Sequence, residues 1–239
     1  MKRLFISLAI LAGISLSSCN DSFLEKTPVT DLTENNAFNS YDNFKAFMWP
    51  CYEMFTNNTI RTSLQGFGQD GQYKGDMAAG YFQQKYESGY NEFAYQTVAS
   101  VASGNGWDFK SFIRRVNIML SHIDNSSMTE AQKDHWRAVG YFFHSFWYME
   151  LIDRFGDVPW VDQVLQEDSP EAYGPRVDRK TVADKVLERL QWAEQNIGNF
   201  TSQDGDNTIN QDCVRAVISR FGLREGTWRK YHELGDAEK

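Results

Sequence analysis

The sequence is short of positive charge, proline and cysteine. Its 24 Lys and Arg stand against 32 Asp and Glu, a formal net charge of −8. With no surplus of cations to displace counterions from phosphates, no nucleic-acid partner is expected. Five prolines argue against a coil-rich scaffold, and three cysteines are too few for a disulfide framework. The four histidines, His122, His135, His144 and His232, contain no pair spaced to share one helix face, so no metal site is expected. There is no Gly-x-Ser-x-Gly elbow, no phosphate-cradling Gly-Lys-Ser/Thr loop and no sequence signal for a paired-carboxylate site. No cofactor is expected. What the chain does have is aromatic side chains, 15% of 239 residues, which excludes disorder and suffices for one large domain or two small ones.

The one long apolar run, Leu4 to Leu16, follows Lys2 and Arg3 and precedes Ser17, Ser18 and Cys19. It is too short to span a bilayer as a helix, so residues 1–18 read as a signal peptide. Leu16-Ser17-Ser18-Cys19 looks like a bacterial lipobox, in which Cys19 takes a diacylglycerol and acyl chains tie the mature protein to outer-membrane lipid. Asn20, Asp21 and Glu25 behind the Cys resemble the surface-export pattern of Bacteroidetes lipoproteins. Residues 19–39, with their Thr-rich turns and Pro28, read as an extended tether.

Beyond the tether the pattern is helical. Phe109, Phe112, Ile113, Val116, Leu120 and Ile123 recur at three and four between Trp107 and Asp124, and a Thr129-x-x-Gln132 capping box opens a helix running to about Phe155. Asn125 to Met128 is so short a link that the two are expected to form an antiparallel hairpin. A second pair follows: Val182, Val186, Leu190, Ala193 and Ile197 stripe a helix from near Thr181, and another runs from Ile209 to His232, the polar loop Gly198–Asn207 joining them. Trp107 and Thr181 lie about two 34-residue repeat periods apart, with Gly156–Lys180 inserted. An earlier helix, Ser40 to about Phe55, must kink or end at Pro50. The expected class is all-α, a helical-repeat scaffold with long loops.

The segment 61–106 differs. It holds 8 of the 17 glycines and 5 of the 11 tyrosines, with few charges, and reads as loop with some short helix. Sugar rings stack C–H faces on aromatic planes while their hydroxyls need amides and carboxylates, which makes Tyr73, Asp76, Tyr86, Tyr90 and Asn91 the candidate ligand-binding residues. Against this, Phe82, Tyr86, Tyr90 and Phe93 recur at helical spacing, as a core stripe does.

The run Gly140-Tyr-Phe-Phe-His-Ser-Phe-Trp-Tyr-Met-Glu-Leu-Ile-Asp-Arg-Phe-Gly-Asp-Val-Pro159 resembles the SusD/RagB family of nutrient-binding outer-membrane lipoproteins. Phe23-Leu-Glu-Lys-Thr-Pro28, Arg176-Val-Asp-Arg179 and Ser219-Arg-Phe221 with Glu225-Gly-Thr-Trp-Arg-Lys-Tyr-His232 follow the same resemblance in order. The resemblance implies a non-enzymatic surface protein on a tetratricopeptide-like helical fold. Such a protein captures oligosaccharides, or peptides in RagB-type relatives, and passes them to a SusC-like TonB-dependent porin. It also implies that the family's first ligand loop falls within 61–106. His144 stands where relatives more often have Arg. The rival readings are a surface glycoside hydrolase and a helical-repeat interaction module that binds no glycan.

Three smaller features have structural readings. Gly156-Asp157-Val158-Pro159 reads as a helix stop and turn, with Asp157 on backbone amides. Arg176 and Arg179, flanking Asp178, read as a cap or salt bridge, and Trp107 and Trp228 as scaffold. Cys51 and Cys213 are open to pairing or to remaining buried thiols. Because the family usually runs to more than twice this length, residues 40–239 are expected to be an incomplete N-terminal domain that need not bind ligand on its own.

Overall fold

The computed structural model describes residues 37–55, 107, 109 and 111–236. Among these the protein is helical, with no strand and one isolated bridge, Val158 to Val177. We number the helices of eight residues or more α1 (Tyr41–Met48), α2 (Phe112–His122), α3 (Glu130–Phe155), α4 (Arg179–Asn196) and α5 (Gln211–Tyr231). Helix α1 gives way at Pro50 to a 3-10 turn, Trp49–Phe55, because proline has no amide with which to continue the α-helical ladder. Phe38, just before α1, is buried and packs edge-on against Phe44 and Phe47, so the packed body begins inside the stretch whose composition reads as tether.

Helix α3 is the axis of the fold. Its start has the capping box read from the sequence: the Thr129 amide donates to Gln132 Oε1 at 3.0 Å and the Gln132 amide to Thr129 Oγ1 at 3.4 Å. From His135 to Ile152 it is buried on nearly every side, as expected of a helix surrounded by packed neighbours. α2 and α4 pack against it, α5 packs against α4, and α1 packs against α2. The hairpin α2–α3 and the pair α4–α5 are the two helical units expected from the periodicity.

Helix α2 begins at Phe112, five residues later than its apolar pattern. Trp107 and Phe109 instead fold inward, Trp107 meeting Phe155 perpendicularly at 4.9 Å and Phe109 meeting the ring of Tyr148 at 6.3 Å. Packing of these partly buried rings against α3 outweighs the helix periodicity they share with α2.

Gly156 ends α3 at φ 68°, its amide still donating to the Ile152 carbonyl at 3.0 Å. A side chain is strained at that φ, so Gly156→Ala is expected to cost about 1–2 kcal/mol, read as a lower urea midpoint at unchanged slope. Wild-type stability in the variant would contradict this. Past the turn, Asp157 Oδ1 accepts from the Arg179 amide at 2.9 Å, and Asp178 caps α4 by accepting from the Thr181 amide at 3.1 Å. Both thiols in the described body, Cys51 and Cys213, are free, and burial pushes the Cys51 thiol up to about 12.

Candidate ligand-binding surface

Tyr73, Asp76, Tyr86, Tyr90 and Asn91 lie outside the described residues, as does Cys19. Among the described residues, hydroxyl, amide and carboxylate groups converge on the connection between α4 and α5. The Asn199 side chain accepts from the Thr201 amide at 3.2 Å and opens a single helical turn, Thr201–Asp204. Gly205 then reverses the chain at φ 87°, Thr208 Oγ1 donates to its carbonyl at 3.0 Å, and Asn210 caps α5 by accepting from the Cys213 amide at 3.0 Å.

Asp204 pins this loop to the body. Its Oδ2 accepts from the Tyr41 hydroxyl at 2.5 Å and lies 3.3 Å from His135 Nε2, while Lys45 Nζ is 3.6 Å from Oδ1 and also donates to the Gln203 carbonyl. His135 Nδ1 faces the Gly198 carbonyl at 3.1 Å. Burial lowers the His135 pKa against the opposing pull of Asp204, and a neutral ring donates to one of its two acceptors at a time. The same burial and the Asp204 carboxylate push the Tyr41 hydroxyl far above its ordinary range.

Above the clamp lies a cavity of about 290 Å³ lined by Asn199, Thr201, Asp206, Thr208, Asn210 and Asp212, with Phe200 at its wall. Its short polar side chains suit a hydroxyl-rich ligand and lack the apolar area that a hydrophobic one needs. A larger cavity, about 530 Å³, lies beyond the loop between Tyr52, Phe142, Phe146, Met149 and Val217. It is of the opposite character. Tyr52 forms one wall, its hydroxyl accepting from the Ile209 amide at 2.9 Å. Half-exposed Trp49 sits against Tyr52 with ring centroids 5.1 Å apart. Glu150 also lines this cavity, and burial pushes its carboxyl up to about 7.

His144 is fully buried and has a structural task. Its Nε2 lies 2.9 Å from the Val161 carbonyl, which also accepts from Asn117 Nδ2 at 3.1 Å. Tyr148 completes the attachment, donating to the Pro159 carbonyl at 3.0 Å and accepting from the Val161 amide at 2.7 Å. These side chains hold the inserted connection after Gly156 onto α2 and α3. A carbonyl can only accept, so the ring carries its proton on Nε2. Burial, reinforced by the nearby Arg189 guanidinium, holds the His144 pKa well below its ordinary value.

The unfolded chain therefore binds protons at His135 and His144 that the folded chain refuses. Stability is lost as pH falls below about 6.5, each histidine adding a slope of up to about 1.4 kcal/mol per pH unit. Glu150 opposes this, since its folded carboxyl retains a proton between about 4.5 and 7 that the unfolded one releases. Urea midpoints from pH 7 to pH 5 are expected to decline, and to decline less in His144→Gln. Equal slopes in the two proteins would contradict the assignment.

Arg179 is a buried anchor. Its Nη1 lies 2.8 and 3.1 Å from the two oxygens of Glu225, and its guanidinium stacks 4.5 Å from the Trp228 ring. Arg229 donates to the same carboxylate at 2.8 Å and to Asp184 at 3.0 Å. One carboxylate between two guanidinium groups thus locks the start of α4 to the end of α5. Arg176 rests 5.0 Å from the Trp107 ring.

Comparison with protein families matches residues 22–223 to a SusD-like family described as starch-binding and associating with the outer membrane. The chain belongs to the SusD-like family. Its fold is that of solved SusD-like proteins. One from Bacteroides fragilis superposes with a TM-score of 0.61 at 18% identity, over 85% of this chain and 39% of its own. A SusD-like carbohydrate binding protein from Bacteroides vulgatus gives 0.56 at 18%, over 81% and 43%. A second SusD-like carbohydrate binding protein from B. fragilis gives 0.55 at 16%, over 83% and 41%. The chain spans about two fifths of the length of these structures. A comparison with curated proteins gives no match. In this fold Gly140–Pro159 is the buried half of α3 with its stop, and Arg176–Arg179 and Glu225–Arg229 carry the two sides of the charged lock. Among the described residues, no helix is long and apolar enough to cross a membrane, and no cluster of three metal-ligating side chains occurs.

Proposed function

We propose that this SusD-like protein is a lipid-anchored component of the cell surface that captures oligosaccharides and delivers them to a SusC-like TonB-dependent porin in the outer membrane. The observation that carries the reading is the family match over residues 22–223, which follows directly behind the lipobox at Cys19. Two of the structurally similar proteins are carbohydrate binding proteins, which supports glycan as the ligand class. Tyr73, Asp76, Tyr86, Tyr90 and Asn91 are proposed as ligand contacts. The polar cavity over Asp204 adds a hydrogen-bonding surface on the scaffold itself. No step of this function makes or breaks a covalent bond in the glycan, so the protein is proposed not to be an enzyme.

The ligand test is affinity electrophoresis of the protein, purified from its native membrane, through gels containing single polysaccharides. Retardation by at least one of them is expected, with no shortening of the polymer on incubation. Unretarded migration across a broad panel, together with capture of peptides, would replace this reading with the RagB-type one. The anchor is tested separately. Growth with labelled palmitate is expected to mark wild type and leave Cys19→Ala unlabelled, and equal labelling of both would remove the lipid from the account.

A further inference from the structure

One face of α1 is given over to the loop between α4 and α5. Tyr41, Lys45 and Trp49 follow at intervals of four, which stacks them along one side of the helix, and Tyr52 comes three residues later. Three of the four hold the loop by polar bonds: Tyr41 donates to Asp204, Lys45 donates to the Gln203 carbonyl, and Tyr52 accepts from the Ile209 amide. Trp49 is the exception. It is 51% exposed, its one ring-on-ring contact among the described residues is with Tyr52, and its indole N–H has no acceptor among them. The other tryptophans are engaged. Trp136 and Trp147 are buried, Trp107 packs on Phe155, Trp160 donates to Asp162, Trp192 meets Tyr141, and Trp228 is stacked by His232 and by the Arg179 guanidinium. An indole left half in water forfeits apolar burial that a ligand ring would restore.

The surroundings of Trp49 suit a neutral sugar. Tyr52 backs the indole with ring centroids 5.1 Å and planes 34° apart and is itself fixed to Ile209 through its hydroxyl, so the ring stands on a held support. Hydroxyl partners are close by. Asp206 and Asn207 line the same cavity as Tyr52, are exposed, and make no side-chain hydrogen bond among the described residues. Charge sets the class of sugar. The polar cavity on the loop has Asp204, Asp206 and Asp212 in its lining and, among the described residues, no Lys or Arg. Lys45 is already paired with Asp204, and Arg224, in the larger cavity, with Asp153. A uronate or a sulfated sugar is therefore repelled, while a neutral hexopyranose brings a C–H face to the indole and hydroxyls to the acceptors.

We propose that Trp49, braced by Tyr52, is an aromatic platform of the capture surface and stacks on a neutral pyranose unit whose hydroxyls are taken by Asp206 and Asn207. The inference rests on the glycan reading and deepens it, extending the polar site over Asp204 to the end of α1 and naming the class of sugar.

The test uses the protein purified from its native membrane, run through gels containing starch, laminarin, xylan, galactan, mannan, polygalacturonate or chondroitin sulfate. Wild type is expected to be retarded by a neutral polymer and to pass the two acidic ones freely. In the retarding gel Trp49→Ala and Trp49→Leu are each expected to bind at least about tenfold more weakly, and Trp49→Tyr to stay within about threefold of wild type. Urea midpoints of all three are expected close to wild type, because the ring is half-exposed. Leucine restores apolar bulk without a π face, so it separates stacking on a sugar from packing within the protein. Wild-type retardation of Trp49→Ala, recovery by leucine, or failure of tyrosine to recover would overturn the platform. Retardation of wild type by an acidic polymer would overturn the assignment to a neutral sugar. Free migration of wild type in every gel would instead remove the glycan reading, and the platform with it.

Discussion

Replacing Glu225 with alanine is expected to cost about 3–5 kcal/mol, a large fraction of the about 5–15 kcal/mol by which an ordinary domain is stable. The reason is the arrangement around it. Arg179 and Arg229 both direct guanidinium N–H groups at its carboxylate, and all three side chains are buried. Removing the anion takes from buried Arg179 the carboxylate that both its hydrogen bonds reach, and leaves Arg229 with Asp184 as its remaining carboxylate partner. Glu225→Gln retains the acceptor oxygen and loses the charge, so a smaller loss is expected, with the order wild type, Gln, Ala in urea midpoint. Because the lock joins the start of α4 to the end of α5, hydrogen exchange in Glu225→Ala should rise first at residues 179–186 and 221–231. Cooperative unfolding of Glu225→Ala at the wild-type midpoint would show that the lock contributes nothing to stability.

Asp204→Ala should act on the candidate site as well as on stability. The substitution removes the acceptor of the buried Tyr41 hydroxyl and the partner of His135, and about 2–3 kcal/mol is the expected cost of leaving such groups without their charged acceptor. The loop 198–210 then keeps the Lys45–Gln203 and His135–Gly198 contacts but loses the carboxylate that joins α1 to α3 through it, which loosens the floor of the polar cavity. If that cavity contributes to glycan capture, the variant migrates freely in the affinity gel under conditions where it remains folded. Retention of wild-type retardation would remove the polar cavity from the ligand surface and leave only the candidates in the Tyr-rich segment. Tyr41→Phe is the companion variant. It keeps Asp204 and removes one donor, so it should cost less and leave the loop in place.

Much of this scaffold is legible in the sequence because its signals are local. The Thr129–Gln132 capping box, the glycine stop at 156 and the stripes of α4 and α5 each need only a few neighbouring residues to be recognised. The partnerships that hold the helices together are not local. Tyr41 and Asp204 are 163 residues apart, and Arg179 and Glu225 are 46 apart; nothing in either side chain's immediate sequence announces the other. Arg179 reads as a cap or salt bridge from its position before a helix, whereas its burial and its stack on Trp228 appear only once α4 and α5 are side by side. The late start of α2 has the same origin, since Trp107 and Phe109 fit the helix pattern and are drawn off it by Phe155 and Tyr148.

His144 illustrates the limit on transferring a resemblance. The arginine that the family resemblance implies at this position would bring a permanent charge to a buried site beside Arg189. The imidazole instead stays neutral and hydrogen-bonds the Val161 carbonyl. Whatever an arginine does there in relatives, this chain uses the position to hold the inserted connection. The candidate ligand residues of the sequence reading lie outside the described residues, so the polar cavity over Asp204 is the part of the proposed capture surface for which the fold supplies a geometry. No short motif marks that cavity in the sequence; a clue is the density of Asp, Asn and Thr from 199 to 212 between two apolar stripes.

The central claim is capture of a glycan at the cell surface by an acyl-anchored protein, and one measurement on intact cells tests it most directly. Cells producing wild-type protein or Cys19→Ala are incubated with the fluorescent polysaccharide that retards the protein in gels, with and without prior external protease. Labelling of wild-type cells that protease abolishes and Cys19→Ala lacks is the predicted result. Equal labelling of the two strains, or labelling unaffected by protease, would contradict the account.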